Sequence, residues 1–317
     1  MGSTCVSLAA PVSENDVSKR FIEVIGGDNK IHTVDLEEEI NNELLEDLSR
    51  HARNRYLLFT RSNPSSSQVL VMNNADSIRS SNFNRNHATV VVAHGWASNH
   101  NTNLNPAIRN ALLSRHNVNV IILDWSHLAM SSYALAISGL PNVGRGLGQF
   151  LAFLSSVTGA SLQSMHLVGF SLGAHVVGNA GKELNGRVGR VTGLDPVSPV
   201  WENNRNALAR TDGIYVEIIH TNGPSRTPNN NVGDADFYPN GGSNQPGCSN
   251  SICNHNRSWE LFAATISNNH LVGRRCSNLR EVEANTCQGN TLVMGNAVAN
   301  KSGSGLYRLT TGNRHPF

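Results

Sequence analysis

The sequence predicts an α/β fold: a mostly parallel central sheet covered by helices on both faces. Three observations carry this reading. From about residue 55 onward, short apolar runs of strand length alternate with helical stretches, the order that builds parallel sheets. The run 89–93, Thr-Val-Val-Val-Ala, is rich in β-branched residues and carries no charge, as a strand buried on both faces does. With 317 residues, 39% of them hydrophobic and 15% charged, the chain can fill the core of one large α/β domain.

The elements follow in order. Residues 56–60 and 68–72 read as strands, and 89–93 is a strand running into His94-Gly95-Trp96. A helix at 106–115 leads to a strand at 119–123. A helix at 146–156 precedes a strand at 165–169 and a helix at 172–184, and strands return at 190–194 and 215–219. Parallel neighbours require right-handed crossovers, so ligands are expected at the carboxyl ends of the strands. Residues 221–256, rich in Asn, Gly, Pro and Ser, read as one long loop region before a helix at 259–266, and loops of that length are usually functional.

The N-terminal part is different. Residues 1–10 resemble the tail of a signal peptide, with Leu8-Ala9-Ala10 as a small-residue cleavage site. Residues 11–50 are expected to be an acidic helical extension, open to removal as a prosegment. Seven acidic residues fall between Asp35 and Asp47, with Leu36, Ile40, Leu44, Leu45 and Leu48 at helical spacing. Residues 51–317 form the main domain.

The formal charge of +2 with no basic block gives no footprint for nucleic acid, and the longest apolar runs are too short for a transmembrane segment. Of five cysteines, Cys248, Cys253, Cys276 and Cys287 form two close pairs, which suggests two local disulfides and an oxidising, extracellular compartment. A zinc site is the competing reading, but neither pair has the two-residue spacing of a zinc knuckle. Cys5 is left over and would leave with the signal segment.

Gly169-Phe170-Ser171-Leu172-Gly173 fits the Gly-x-Ser-x-Gly elbow between a strand and a helix. The glycines allow a turn so tight that a Cβ at either site would strike neighbouring backbone, and the strained serine projects its hydroxyl. A serine hydroxyl needs a base and an acid to orient that base. Chain order in this arrangement is Ser, acid, His. Asp195, closing the strand 190–194, is the candidate acid, although an Asp before Pro196 also serves as a simple turn former. His220, His255, His270 and His315 follow it; His220 stands directly after a strand, and the pattern around Cys253-Asn254-His255 favours His255. An oxyanion would rest on backbone N–H groups, Leu172 at the head of the elbow helix and Trp96 after the strand 89–93. His94 precedes the serine in the chain, and a structural hydrogen-bonding role is expected of it.

Several stretches together resemble the pancreatic lipase family, in the branch of insect secreted lipases and venom phospholipase A1. They are Val92-Ala93-His94-Gly95-Trp96, Asp124-Trp125, the segment from His166 to His175, Gly193-Leu194-Asp195-Pro196, Ile219-His220-Thr221-Asn222 and the segment from Cys253 to Ser258. The resemblance implies an α/β-hydrolase fold that needs no cofactor. It assigns nucleophile, acid and base to Ser171, Asp195 and His255, the oxyanion donors to Trp96 and Leu172, and disulfides to Cys248–Cys253 and Cys276–Cys287. It implies a lipid substrate met at a membrane or micelle surface.

The departures matter as much. Only four residues separate Cys248 from Cys253, where the family's lipases carry a long lid, and this resembles the phospholipase A1 members. Neither the C-terminal β-sandwich nor colipase is expected. Among the family's calcium ligands only Asp212 has a match, so no metal is expected. Sn-1 ester hydrolysis of phospholipids is the favoured activity, with triacylglycerols or galactolipids as alternative substrates. A catalytically idle lipid-binding or yolk-type storage protein is the alternative from another class.

Overall fold

A computed structural model describes residues 20–50, 53–198, 200–201, 204–223, 232–297 and 299–317. The expected signal remnant, Cys5 and the first part of the 11–50 extension lie outside them. The described chain begins with a hairpin, β1 (Phe21–Ile25) and β2 (Ile31–Asp35), followed by α1 (Asn42–Ser49). Next come β3 (Arg55–Phe59), β4 (Gln68–Leu70), α2 (Ala75–Arg79), β5 (Ala88–Ala93), α3 (Leu104–Arg115), β6 (Val118–Asp124), α4 (Ser126–Ala129) and α5 (Tyr133–Thr158). Then follow β7 (Met165–Phe170), α6 (Leu172–Glu183), β8 (Arg190–Leu194), β9 (Tyr215–Ile219), β10 (Ala235–Pro239) and α7 (Ser251–Asn268). The chain closes with β11 (Val272–Cys276), α8 (Leu279–Ala284), β12 (Thr291–Val293) and β13 (Gly305–Leu309).

Eleven strands form one sheet in the order β12-β11-β13-β10-β9-β8-β7-β5-β6-β3-β4. The central run from β13 to β6 is parallel, and antiparallel strands finish both edges. Residues of one strand point alternately to opposite faces. Val91, Ala93, Ile121, Leu123, Met165 and Leu167 therefore enter one core layer with α5 and α6. Val90, Val92, Val120, Ile122, Val168 and Phe170 enter the other with α3 and α7. Both faces are covered, which is why these strands read as unbroken apolar runs. This is the α/β-hydrolase arrangement.

Three expectations need correction. Residues 20–35 are a β-hairpin, not part of a helix, and the helix in the acidic stretch is confined to Asn42–Ser49. Ile22, Val24, His32 and Val34 share the hairpin's inner face, a period of two that the downstream acidic helical pattern obscured. The helix before β7 starts at Tyr133, not at 146, because Gly139, Pro141, Gly144 and Gly148 weaken its signal. Gly144 and Gly148 are there for close packing: a Cβ on Gly144 would come 2.5 Å from Asn179 Cβ, and one on Gly148 would come 2.6 Å from Glu183 Cβ, both on α6. Finally, residues 221–256 are not one loop, since they contain β10 and the start of α7.

His175 on α6 ties this layer to the segment after β8. Its Nδ1 accepts from Leu208 N–H at 3.0 Å, its Nε2–H donates to Val197 O at 2.9 Å, and its ring stacks on Trp201. Burial lowers its pKa from 6.5 to about 4. Between those values the unfolded chain binds the extra proton and the folded chain does not, so stability falls as pH drops through this window. We expect the urea midpoint to fall between pH 7 and pH 4.5, with His175 contributing on the order of 3 kcal/mol at the acid end. His175→Gln should lower stability at pH 7 and flatten the acid slope; an unchanged slope would contradict this assignment.

Candidate active site

The site is assembled at the carboxyl ends of β5, β7, β8 and β9. Ser171 stands between β7 and α6 with φ +56°, a left-handed conformation costing about 1–3 kcal/mol in a non-glycine residue. The turn holds because nothing separates the backbones around it. A Cβ on Gly169 would lie 2.1 Å from Gly173 O, and one on Gly173 would lie 2.4 Å from Ala93 O. Ser171 N–H donates to Leu194 O at 3.0 Å, tying the elbow to β8.

Asp195 follows β8 directly, also at positive φ (+44°). Its Oδ2 lies 2.5 Å from His255 Nδ1, while its Oδ1 accepts from Thr221 N–H (2.8 Å) and Asn222 N–H (3.1 Å). The buried carboxylate is thus held by backbone donors after β9 as well as by the imidazole. With the carboxylate as acceptor, His255 carries its proton on Nδ1 and leaves Nε2 as the acceptor. Nε2 is buried and has no hydrogen-bond partner among the described residues. The ring lies over Phe170, 4.4 Å between centroids. Ser171 and His255 do not form a direct hydrogen bond here; contacts of this kind commonly tighten only with substrate bound.

His255 stands in the second turn of α7, not in a loop before it. Asn250 caps that helix by accepting from Cys253 N–H, and the Cys248–Cys253 disulfide closes its entry. Cys276–Cys287 forms the second bridge. His220, the rival base, is engaged elsewhere: its Nε2 lies 2.8 Å from Asp236 Oδ1 and its ring stacks on Tyr238.

Leu172 is the first residue of α6, so its N–H has no carbonyl one turn back to bond. A Cβ on Gly95 would stand 3.0 Å from Ser171 Cβ, which places the Gly95–Trp96 peptide against the serine. The Trp96 indole N–H donates to Ser131 O at 2.9 Å. Completely buried His94 lies beneath: its Nδ1 is 3.0 Å from Gly95 O, its Nε2 accepts from Trp125 N–H, and Trp125 Nε1–H donates to His94 O. The Asp124-Trp125 pair therefore supports the strand end that carries Trp96. Chemically, the arrangement offers a projecting hydroxyl, a base with its acceptor nitrogen open, and backbone donors where negative charge would develop.

The family model of the lipases matches residues 20–317. The chain belongs to the pancreatic lipase family. Pancreatic lipase-related protein 2 of Cavia porcellus is 35% identical over 244 residues, covering 74% of this chain and 56% of that protein. Pancreatic triacylglycerol lipase of Homo sapiens is 33% identical over 261 residues with the same coverage. This lipase-family chain spans about half the length of the curated relatives it matches.

Asp212 is occupied by protein donors: Lys182 Nζ reaches its two oxygens at 2.7 and 2.6 Å, and Ala209 N–H donates at 2.8 Å. Among the described residues no group of three His, Cys, Asp or Glu could hold a metal ion. Sequence reasoning gave no role to Thr221 and Asn222, whose N–H groups orient Asp195, nor to Phe170 beneath the His255 ring.

Asp195→Asn tests the geometry. Its Oδ1 can keep the Thr221 and Asn222 bonds, but its amide presents N–H to His255 Nδ1 and imposes the other tautomer. We expect hydrolysis of p-nitrophenyl butyrate to lose about 10³–10⁴ in kcat with a native melting curve. Near-native kcat would remove Asp195 from the reaction.

Proposed function

We propose that this chain is a secreted serine hydrolase of lipid acyl esters acting on the sn-1 ester of phospholipids. The observation that carries the proposal is the strained, projecting Ser171 within one site with the Asp195–His255 pair, whose Nε2 is unengaged. In this reading His255 Nε2 takes the Ser171 proton as Oγ attacks the ester carbonyl. The oxyanion rests on the N–H groups of Trp96 and Leu172, each worth about 3 kcal/mol in such a role. His255 then returns the proton to the departing lysophospholipid hydroxyl. Water, activated by the same imidazole, releases the fatty acid from the acyl-serine. Every step uses side chains and backbone of this chain.

Two features favour a polar-headed substrate. The segment between Cys248 and Cys253 is four residues long, and its last two, Ser251 and Ile252, already belong to α7, which leaves that segment no length for a covering lid. Beside it lies an open cleft of about 350 Å³, lined by Asn222, Ser243, Asn244, Ser249, Asn250 and Asn254. Amides and hydroxyls there suit a hydrated head group better than a third acyl chain. Two disulfides support an oxidising, extracellular setting, and no described helix is long and apolar enough to cross a membrane.

Fatty-acid release from phosphatidylcholine and from triolein, measured in parallel with Ser171→Ala as control, tests the reading. We expect phosphatidylcholine to turn over about tenfold faster or more, with the mutant losing activity on both. Faster triolein release would overturn the head-group argument, and no release from either would overturn the hydrolase reading.

A further inference from the structure

The N-terminal hairpin is not part of the eleven-stranded sheet; β1 and β2 form a sheet of their own. Its inner face, with Val24 and Val34 buried and Ile22 packed beside them, joins the core layer that contains Trp96. Its turn makes two further contacts, one on each side of the candidate active site.

On the oxyanion side, Gly27 N–H donates to Trp96 O at 2.8 Å. The His32 and Tyr133 rings both stand edge-on to the Trp96 ring, with centroids 4.9 and 5.3 Å from it. Trp96 is thereby held at its carbonyl, its indole nitrogen and its ring, and the next residue, Ala97, sits at positive φ with its N–H on Ala129 O. The approach is tight: a Cβ on Gly27 would lie 2.5 Å from Ser98 Cβ. On the base side, Asn29, itself at φ +60°, accepts from Asn256 Nδ2 at 2.8 Å. Asn256 is the residue after His255 on α7.

We propose that this hairpin is a positioning clasp for the reaction: Gly27 fixes the Trp96–Ala97 peptide and so holds Trp96, whose own N–H in the preceding peptide donates to the oxyanion, and Asn29 ties that side to the helix carrying His255. The inference rests on the acyl-hydrolase reading above. Gly27 and Asn29 are positioning residues and touch no reacting atom. Their contribution appears in the rate of the chemical step, since a displacement of a fraction of an ångström at an oxyanion donor weakens transition-state binding while leaving ground-state binding almost unchanged.

A structural cover and a positioning clasp differ in what their loss does to each folded molecule. The experiment measures kcat and KM on p-nitrophenyl butyrate per titrated active serine, with melting temperatures, for Gly27→Ala, Asn29→Ala, Asn256→Ala and the double variant Asn29→Ala/Asn256→Ala. Thr33→Ala, exposed on the hairpin, is the control. Gly27→Ala should lower kcat about tenfold or more with KM within about twofold of native, and Gly27→Ala/Ser98→Gly, which removes the opposing Cβ, should recover most of the loss. Asn29→Ala should cost about three- to tenfold in kcat, and the double variant should be no slower than the slower of the two single variants, as partners in one bond behave. Native kcat per titrated serine in Gly27→Ala and Asn29→Ala, with only the melting temperature lowered, would overturn the clasp and leave the hydrolase reading intact. A native protein with no esterase activity would overturn both.

Discussion

The site depends on one packing constraint, the close approach of β5, β7 and the head of α6 with no side-chain atom between them. Gly169 and Gly173 permit it: a Cβ on either would come within 2.4 Å of a backbone oxygen. That approach forces Ser171 to positive φ, aims its hydroxyl out of the turn and directs the first N–H groups of α6 to the same place. It also brings the end of β5, and hence the Gly95–Trp96 peptide, against the serine. The proposed nucleophile and oxyanion donors follow from one strained turn, and the surrounding core of two apolar layers holds the strain.

Electrostatics complete the arrangement. Asp195 is 8% exposed, and a carboxylate so placed needs compensation. It receives two backbone N–H bonds and one imidazole bond, with no Lys or Arg among its partners in the described residues. A cation there would compete with the imidazolium that the proposed proton transfer creates; amide dipoles stabilise the carboxylate without doing so. Elsewhere the chain pairs buried charges directly. Glu217 is fully buried between Arg190 and Lys301, and although burial raises its pKa, these two cations outweigh that and lower it. The contrast separates a carboxylate that supports the sheet from one that holds the His255 imidazole.

Most of the sheet was legible because its strands are buried on both faces and read as apolar runs; β8 and β9 match their expected bounds residue for residue. The elbow was legible because steric necessity leaves glycine on both sides of the serine. What escaped had weaker local signals. The hairpin was lost because Gly26-Gly27-Asp28-Asn29, a turn signal between two alternating runs, lay beside a louder acidic helical pattern. The first half of α5 was lost because glycines chosen for contact with α6 lower helix propensity. His255 could be favoured but not placed on α7, since Asn-rich sequence at a helix start looks like loop until the Asn250 cap is seen. The pairing of Asp195 with the N–H groups of Thr221 and Asn222 is a backbone matter, to which side-chain identity gives almost no clue.

The proposed function rests on Ser171 as a nucleophile activated by His255. The most direct measurement is covalent labelling by a fluorophosphonate, with the modified residue located by peptide mass spectrometry. One phosphonyl group per molecule is expected, on Ser171, with labelling slowed by orders of magnitude in His255→Ala. Absence of an adduct on the folded protein, or an adduct on another residue, would contradict it.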